Sequence, residues 1–255
     1  MNKKDTSWGN VADWYDDLIE KKDGTYQKDI ILPNLLRILN PQKTDTILDI
    51  ACGQGFFSRA IANTGAKVIA SDIAKELIGI AKLHSSKEID FHTASSDKLD
   101  FAKSEIADKA IIILAIQNIE NMHETFREAH RILKKNGKLL IVINHPAFRI
   151  PKNTSWQWDE KYQKQYRRID SYMSDIKEKI EMNPGEIKTN NKKFTISFHR
   201  PLQSYFKSLN KTGFTIGRFE EWISNKESNP GPRANEENRI RKEIPLFAII
   251  EAIKS

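Results

Sequence analysis

Two aspartates and a pair of glycines are the part of this chain whose types and spacing could do chemistry. They stand in Ile47-Leu48-Asp49-Ile50-Ala51-Cys52-Gly53-Gln54-Gly55-Phe56, with Asp72 following 17 residues after Gly55. An apolar run carries Asp49, turns through Gly53 and Gly55, and continues as a helix from Phe56 to Thr64. Glycines let a backbone approach a ligand with no Cβ in the way. A helix start offers unpaired N–H groups to an anion. An acid at the end of the next strand can accept both hydroxyls of a ribose.

Two ligand chemistries compete for this turn. A nicotinamide dinucleotide calls for Gly-x-Gly-x-x-Gly, and Ser58 stands at the third glycine position. Asp49 would repel a pyrophosphate. It could instead hold an ammonium, directly or through water, which suits the methionine end of S-adenosylmethionine. Each acid also has a plainer reading. Asp49 could cap nearby amides, and Asp72 and Asp97 could be helix N-caps.

The elements that must position these residues alternate. Thr46–Ile50, Lys67–Ser71, Ile89–Thr93, Ala110–Ile116 and Leu139–Ile143 read as strands. Ile73–His84 carries a helical apolar face, and Met122–Lys135 is a helix stopped by Asn136-Gly137. Such alternation predicts an α/β fold, a doubly wound, Rossmann-like parallel sheet with helices on both faces. Phe214–Trp222 and Ile244–Ile253 read as two closing strands, which makes seven. The chain is read as one domain. Residues 1–40 are a helical cover, 41–145 the core, 146–200 an insertion and 201–255 the closing helix and strand pair.

The insertion after the fifth strand is expected to be helical and aromatic, with Trp156, Trp158, Tyr162, Tyr166 and Tyr172 forming a lid core or an acceptor pocket. Between Arg149 and Arg200 it holds 12 Lys/Arg against 7 Asp/Glu, so Arg149, Arg167 and Arg168 could meet an acidic acceptor. Ser224–Glu243 reads as a long polar loop. His145 falls at the carboxyl edge of the sheet, and its titration range suits a general base. It could equally be a loop histidine that bonds only backbone. His199 is placed less well for that work.

Composition narrows the classes. The 255 residues carry a formal charge of +7, mixed along the chain without a run of five Lys/Arg, which points to a solvated surface. The longest apolar run, Ala110–Ile116, is far shorter than the ~20 residues of a membrane helix. Met1–Trp8 shows no apolar leader. A single cysteine, Cys52, excludes an internal disulfide and a multi-cysteine zinc site, so no metal is expected and the cytoplasm is the default compartment.

The arrangement resembles the class I S-adenosylmethionine-dependent methyltransferases, in particular the small-molecule type often called the type 11 methyltransferase family. The likeness is specific over Leu48–Phe56, Asp72, Ser96–Phe101 and Asp108–Ile143, and follows the element order from about Val11 to Lys254. It implies that the last strand runs antiparallel to an otherwise mostly parallel sheet. It also implies S-adenosylmethionine as cofactor, S-adenosylhomocysteine as product, and in-line transfer to O, N or C of a small molecule.

By the same likeness, Asp72 with Ile73 meets the ribose and Ser96 with Asp97 the adenine. Ala51, Gly53 and Gly55 line the methionine and ribose portions, beside Asp49 as the cofactor-binding acid. Leu114, Ala115 and Asn118 pass beside the sulfonium, and Tyr15 helps cover the cofactor. Ala51 replaces the family's first glycine, and Gln117-Asn118 stand where it often has His, which leaves His145 as the candidate base. No Asn/Asp-Pro-Pro-aromatic sequence follows the fourth strand, so nucleic-acid bases are disfavoured. An RNA or protein methyltransferase, an NAD-dependent oxidoreductase and a non-catalytic cofactor-binding relative are the alternatives. The acceptor and the oligomeric state are not set by the sequence.

Overall fold

The computed structural model describes residues 8–85, 88–182 and 192–255. Residues 1–7, including most of the leader reading, and 183–191 of the insertion lie outside the described residues.

Burial on both faces shapes the sheet. Along Thr46–Ile50 (here β1), Ile47 packs into one apolar cluster while Leu48 and Ile50 pack into the other. Successive strand side chains point to opposite faces, so a strand covered on both sides is a continuous apolar run. Among the described residues two α-helices precede β1: α1 at Ala12–Glu20 and α2 at Leu32–Leu39. After it come α3 (Phe56–Ala62), β2 (Lys67–Asp72), α4 (Lys75–His84), β3 (Asp90–Thr93), β4 (Ala107–Ile113), α5 (Met122–Ile132) and β5 (Leu133–Asn144). Helices α2, α3 and α4 contribute Leu35, Ile61 and Ala81 to one cluster; α5 contributes Phe126 and Ala129 to the other.

The insertion follows as β6 (Thr154–Asp159), β7 (Lys164–Ile169), β8 (Ile176–Glu181) and β9 (Phe194–His199). The chain closes with α6 (Leu202–Lys211), β10 (Phe214–Trp222), α7 (Ala234–Glu243) and β11 (Phe247–Lys254). The large sheet has seven strands in the order β10-β11-β5-β4-β1-β2-β3, all parallel except β11, which runs antiparallel to both neighbours.

Three expectations need correction. The insertion is not helical: it is two antiparallel hairpins, β6 with β7 and β8 with β9. Trp156 and Trp158, and Phe194, Ile196 and Phe198, recur every second residue, which is a strand period and not a helical one. Within Ser224–Glu243 the last ten residues form α7, which is polar nearly all round. Only its Ile240 is buried, and a Glu236–Arg239 pair at 2.7 Å ties one turn to the next. Helix α5 stops at Ile132, three residues early, because Leu133 already pairs with Ala107 of β4. Among the described residues no helix is long and apolar enough to cross a membrane.

Candidate functional site

Strand order reverses at β1, with β2 on one side and β4 on the other. The loops leaving β1 and β4 therefore diverge and open a crevice at the carboxyl edge, where ligands bind in open α/β sheets. The backbone bends sharply at both lips. Ala51 after β1 has φ 59° and Leu114 after β4 has φ 52°. A side chain in that left-handed region costs about 1–2 kcal/mol. Hydrogen bonds hold both bends: Cys52 N–H donates to Ser71 O at 2.9 Å, and Leu114 N–H to Val142 O at 2.8 Å.

Three adjoining cavities of about 90, 150 and 500 Å³ occupy the crevice. The smallest is walled by Tyr15, Asp49, Ala51, Gly53, Asp72, Ile73, Leu114, Ala115 and Asn118, together with Trp8, Phe57 and Leu77. The second shares Ala51, Ile73 and Asn118 and adds Ser96, Asp97, Asn121 and, from the insertion, Lys177, Ile196 and Phe198. The third shares Trp8, Tyr15, Leu114 and Asn118 with the first. It is roofed by Trp14 and Leu18 of α1, by Tyr26, and by Thr154, Ile180 and Thr195 of the hairpins.

The two central acids are buried. Asp49 accepts the Ser58 hydroxyl at 2.6 Å, and burial pushes its carboxyl up to about 7, against that bond and with help from the Asp72 charge. Asp72 accepts the N–H groups of Gly53 and Ala74, both at 2.9 Å. Burial raises its carboxyl too, while those N–H bonds work the other way. The pair reacts on its neighbours. Burial, then Asp72 and Asp49, push the Tyr15 hydroxyl up to about 12. Burial and the same two charges raise the Cys52 thiol, so Cys52 is no thiolate. The Tyr15 ring lies over the turn: a Cβ built on Gly53 would stand 3.5 Å from it.

At the other end Asp97 accepts the Ser95 hydroxyl at 2.5 Å and the Asn121 amide at 2.6 Å, while Ser96 bonds Thr125 at 3.0 Å. Both Gln117 and Asn118 donate to Leu114 O, at 2.6 and 3.4 Å.

Two of the expected residues are not brought to these walls. Gly55 caps α3 with φ 82°, and a Cβ there would meet Ala81 and Phe91 at 3.1 Å, so its glycine serves close packing. His145 is 2% exposed and both ring nitrogens are engaged. Nε2 meets Glu221 of β10 at 2.7 Å, and Nδ1 accepts the Ala147 N–H at 3.2 Å. Burial lowers its pKa against the pull of Glu221, so it sits there as a neutral imidazole tying β5 to β10. Replacing His145 by Ala is expected to cost about 1–3 kcal/mol of stability and leave S-adenosylhomocysteine affinity unchanged, as urea unfolding and calorimetry would read.

His199 is likewise spent on Tyr172 O at 2.8 Å. Trp156 and Trp158 do not wall the large chamber. Sequence reasoning missed Trp8 and Asn121, since nothing local to either marks what it reaches. Among the described residues no three His, Cys, Asp or Glu side chains converge as a metal site would.

Comparison with known proteins bears on this site. Residues 48–141, from within β1 to within β5, match the family model described as a methyltransferase domain. A ubiquinone biosynthesis O-methyltransferase of Xanthomonas oryzae pv. oryzae is 30% identical over 120 residues, which is 42% of this chain and 50% of the relative. One of Pelagibacter ubique is 34% identical over 107 residues, 40% of this chain and 42% of the relative. The chain thus spans half or less of the length of these relatives. In overall shape, a crystal structure of an S-adenosylmethionine-dependent methyltransferase from Mesorhizobium loti superposes with a TM-score of 0.68 at 22% identity, over 87% of this chain and 96% of that one. The seven-stranded sheet with its one antiparallel strand shares the fold of that structure, and the core that holds the glycine turn is similar to the methyltransferase domain.

Proposed function

We propose that the protein transfers a methyl group from S-adenosylmethionine to a small-molecule acceptor. The observation that carries this reading is the 500 Å³ chamber, which shares Trp8, Tyr15, Leu114 and Asn118 with the cavity at the glycine turn and is roofed by α1 and the insertion hairpins. A chamber of that size suits a small molecule and not a folded partner or a duplex. The names of the curated relatives, O-methyltransferases of ubiquinone biosynthesis, agree with it.

The residues present fit the cofactor. Two buried carboxylates face a cavity whose floor is glycine, and the sulfonium and ammonium groups are cations. Asp72 would take the ribose hydroxyls and Asp49 the ammonium. Ser96 and Asp97 would border the adenine, and Leu114, Ala115 and Asn118 the sulfonium. Bound S-adenosylmethionine supplies a methyl group activated by that sulfonium. The chain itself would supply position and dryness. Among its described residues no Asp, Glu or His lines the large chamber. So among the described residues no carboxylate or imidazole there is placed to take a proton from the acceptor, and His145 lies outside the chamber.

Calorimetric titration with S-adenosylhomocysteine across pH tests the reading. In the free protein Asp49 holds its proton up to about 7, well above the unperturbed carboxyl value of 3.8. Between those values the folded state carries a proton the unfolded chain has lost, so rising pH costs stability there. An ammonium beside Asp49 favours the ionised form, and binding must then expel the proton. Affinity is therefore expected to rise by up to about tenfold per pH unit from about pH 5 to about pH 7, then level off. Asp49→Asn should flatten the profile. Absence of binding at every pH would overturn the proposed function.

A further inference from the structure

The large chamber carries an unbalanced positive charge. Arg149 lines it and lines a second cavity of about 210 Å³ behind it, and Arg167 walls both. Arg149 is half-buried, with its backbone N–H fixed to His145 O at 2.9 Å. Among the described residues its guanidinium donates no hydrogen bond and joins no ion pair; it lies over the Phe247 ring at 5.4 Å. A guanidinium has five N–H donors, and taking them from water without a partner is costly.

The neighbouring cations are already committed. Arg167 donates Nε to Phe148 O at 2.9 Å and Nη2 to Thr154 Oγ1 at 2.7 Å, and stacks over Trp156 at 4.8 Å. Lys152 is paired with Glu178. Arg149 is thus the free donor set. No described Asp or Glu lines either cavity. Burial is the main cause holding the Arg149 pKa below its ordinary value; Tyr26 acts against it, and the nearby charge of Arg167 adds to it.

We infer that the acceptor enters with an anionic group, a carboxylate or a phosphate ester, seated on Arg149, and with an apolar body against Trp8, Trp14, Tyr26 and Phe247. The inference rests on the methyltransferase reading and narrows it to amphipathic acids. A guanidinium fork matches the two oxygens of either anion, and in a half-dry chamber the pairing is stronger than at a surface. It also orients the acceptor, since the charged end is held at the Arg149 wall while the shared wall of Tyr15, Leu114 and Asn118 faces the glycine turn.

The test is calorimetry on the full chain saturated with S-adenosylhomocysteine, with 2-naphthoate, 2-naphthyl phosphate and the neutral 2-naphthamide as probes. At least one anion is expected to bind about 10–100-fold tighter than the amide, and which one does separates the two anion classes. Arg149→Gln should erase that preference, Arg149→Lys should keep part of it, and the amide and S-adenosylhomocysteine should bind both variants as they bind the parent. Equal affinity for amide and anions would overturn the inference, as would no binding of any probe at about 10 mM. So would an Arg149→Gln variant that weakens amide and anion alike. The comparison of probes on the unmodified protein stands even if the Gln variant fails to fold. If S-adenosylhomocysteine itself does not bind, the methyltransferase reading fails. The probes titrated without it then still report on Arg149.

Discussion

Asp72→Asn is expected to weaken S-adenosylhomocysteine binding about 10–100-fold, or ~1–3 kcal/mol, while the protein still folds. The substitution keeps the shape and removes the charge, so the hydroxyls of a ribose would lose a charged acceptor. It has a structural side as well. In the parent both carboxylate oxygens are used, one by the Gly53 N–H and one by the Ala74 N–H, each at 2.9 Å. An amide has one oxygen, so one of those donors would face an NH₂ group, and stability should fall by about 1–3 kcal/mol. Thermal unfolding separates the two effects, because affinity can be read well below the new midpoint. An unchanged affinity in the folded variant would remove Asp72 from the cofactor site and leave it as a brace between β2, the glycine turn and α4.

The largest expected loss of stability is at Gly55. Gly55→Ala should destabilise the fold by about 2–5 kcal/mol, the sum of a left-handed backbone penalty and an overpacking penalty. Its φ is 82°, and the new methyl would stand 3.1 Å from both Ala81 of α4 and Phe91 of β3. Neither neighbour can retreat, since each is buried in the core between helices and sheet. Gly79→Ala, inside α4 two residues before Ala81, is the matched control. Nothing lies within 4 Å of its added Cβ, and its backbone is helical, so it should be neutral or stabilise by about 0.5–1 kcal/mol. Urea midpoints of the two variants should move in opposite directions from the parent, or Gly79→Ala should not move at all. Equal small shifts would mean that α4 and β3 yield around the turn.

Gly53 and Gly55 look alike in the sequence and do different work. Gly53 faces the cavity beneath Tyr15; Gly55 faces the core. The pattern of the turn announces a bend and a helix start but not which glycine meets the ligand, because that depends on where α4 and β3 lie. The run Ala110–Ile116 shows a similar limit. Its apolar composition announces a buried central strand, yet the strand ends at Ile113 and Leu114 turns left-handed at the lip of the crevice.

In the insertion the aromatic content suggests a helical lid, but the alternation is the stronger signal, and α7 stays hidden because a helix with one buried residue has no apolar stripe to find. The sequence places His145 at the sheet edge, but the position alone does not say whether it reaches the cavity. Its partner Glu221 is 76 residues away, on β10, which β11 separates from β5 in the sheet.

By itself, then, the sequence determined the doubly wound core, the glycine turn after β1 and the acids on β1 and β2. These follow from side-chain period, glycine backbone freedom and spacing within a few tens of residues. The tertiary structure alone decided what the charges face. It joined His145 to Glu221, committed Arg167 to Phe148 and Thr154, and left Arg149 over Phe247 at the chamber wall. The physical reason is that an electrostatic environment is made by whichever groups packing brings within a few ångströms. For this site those groups come from α1, from the hairpins and from the closing strands.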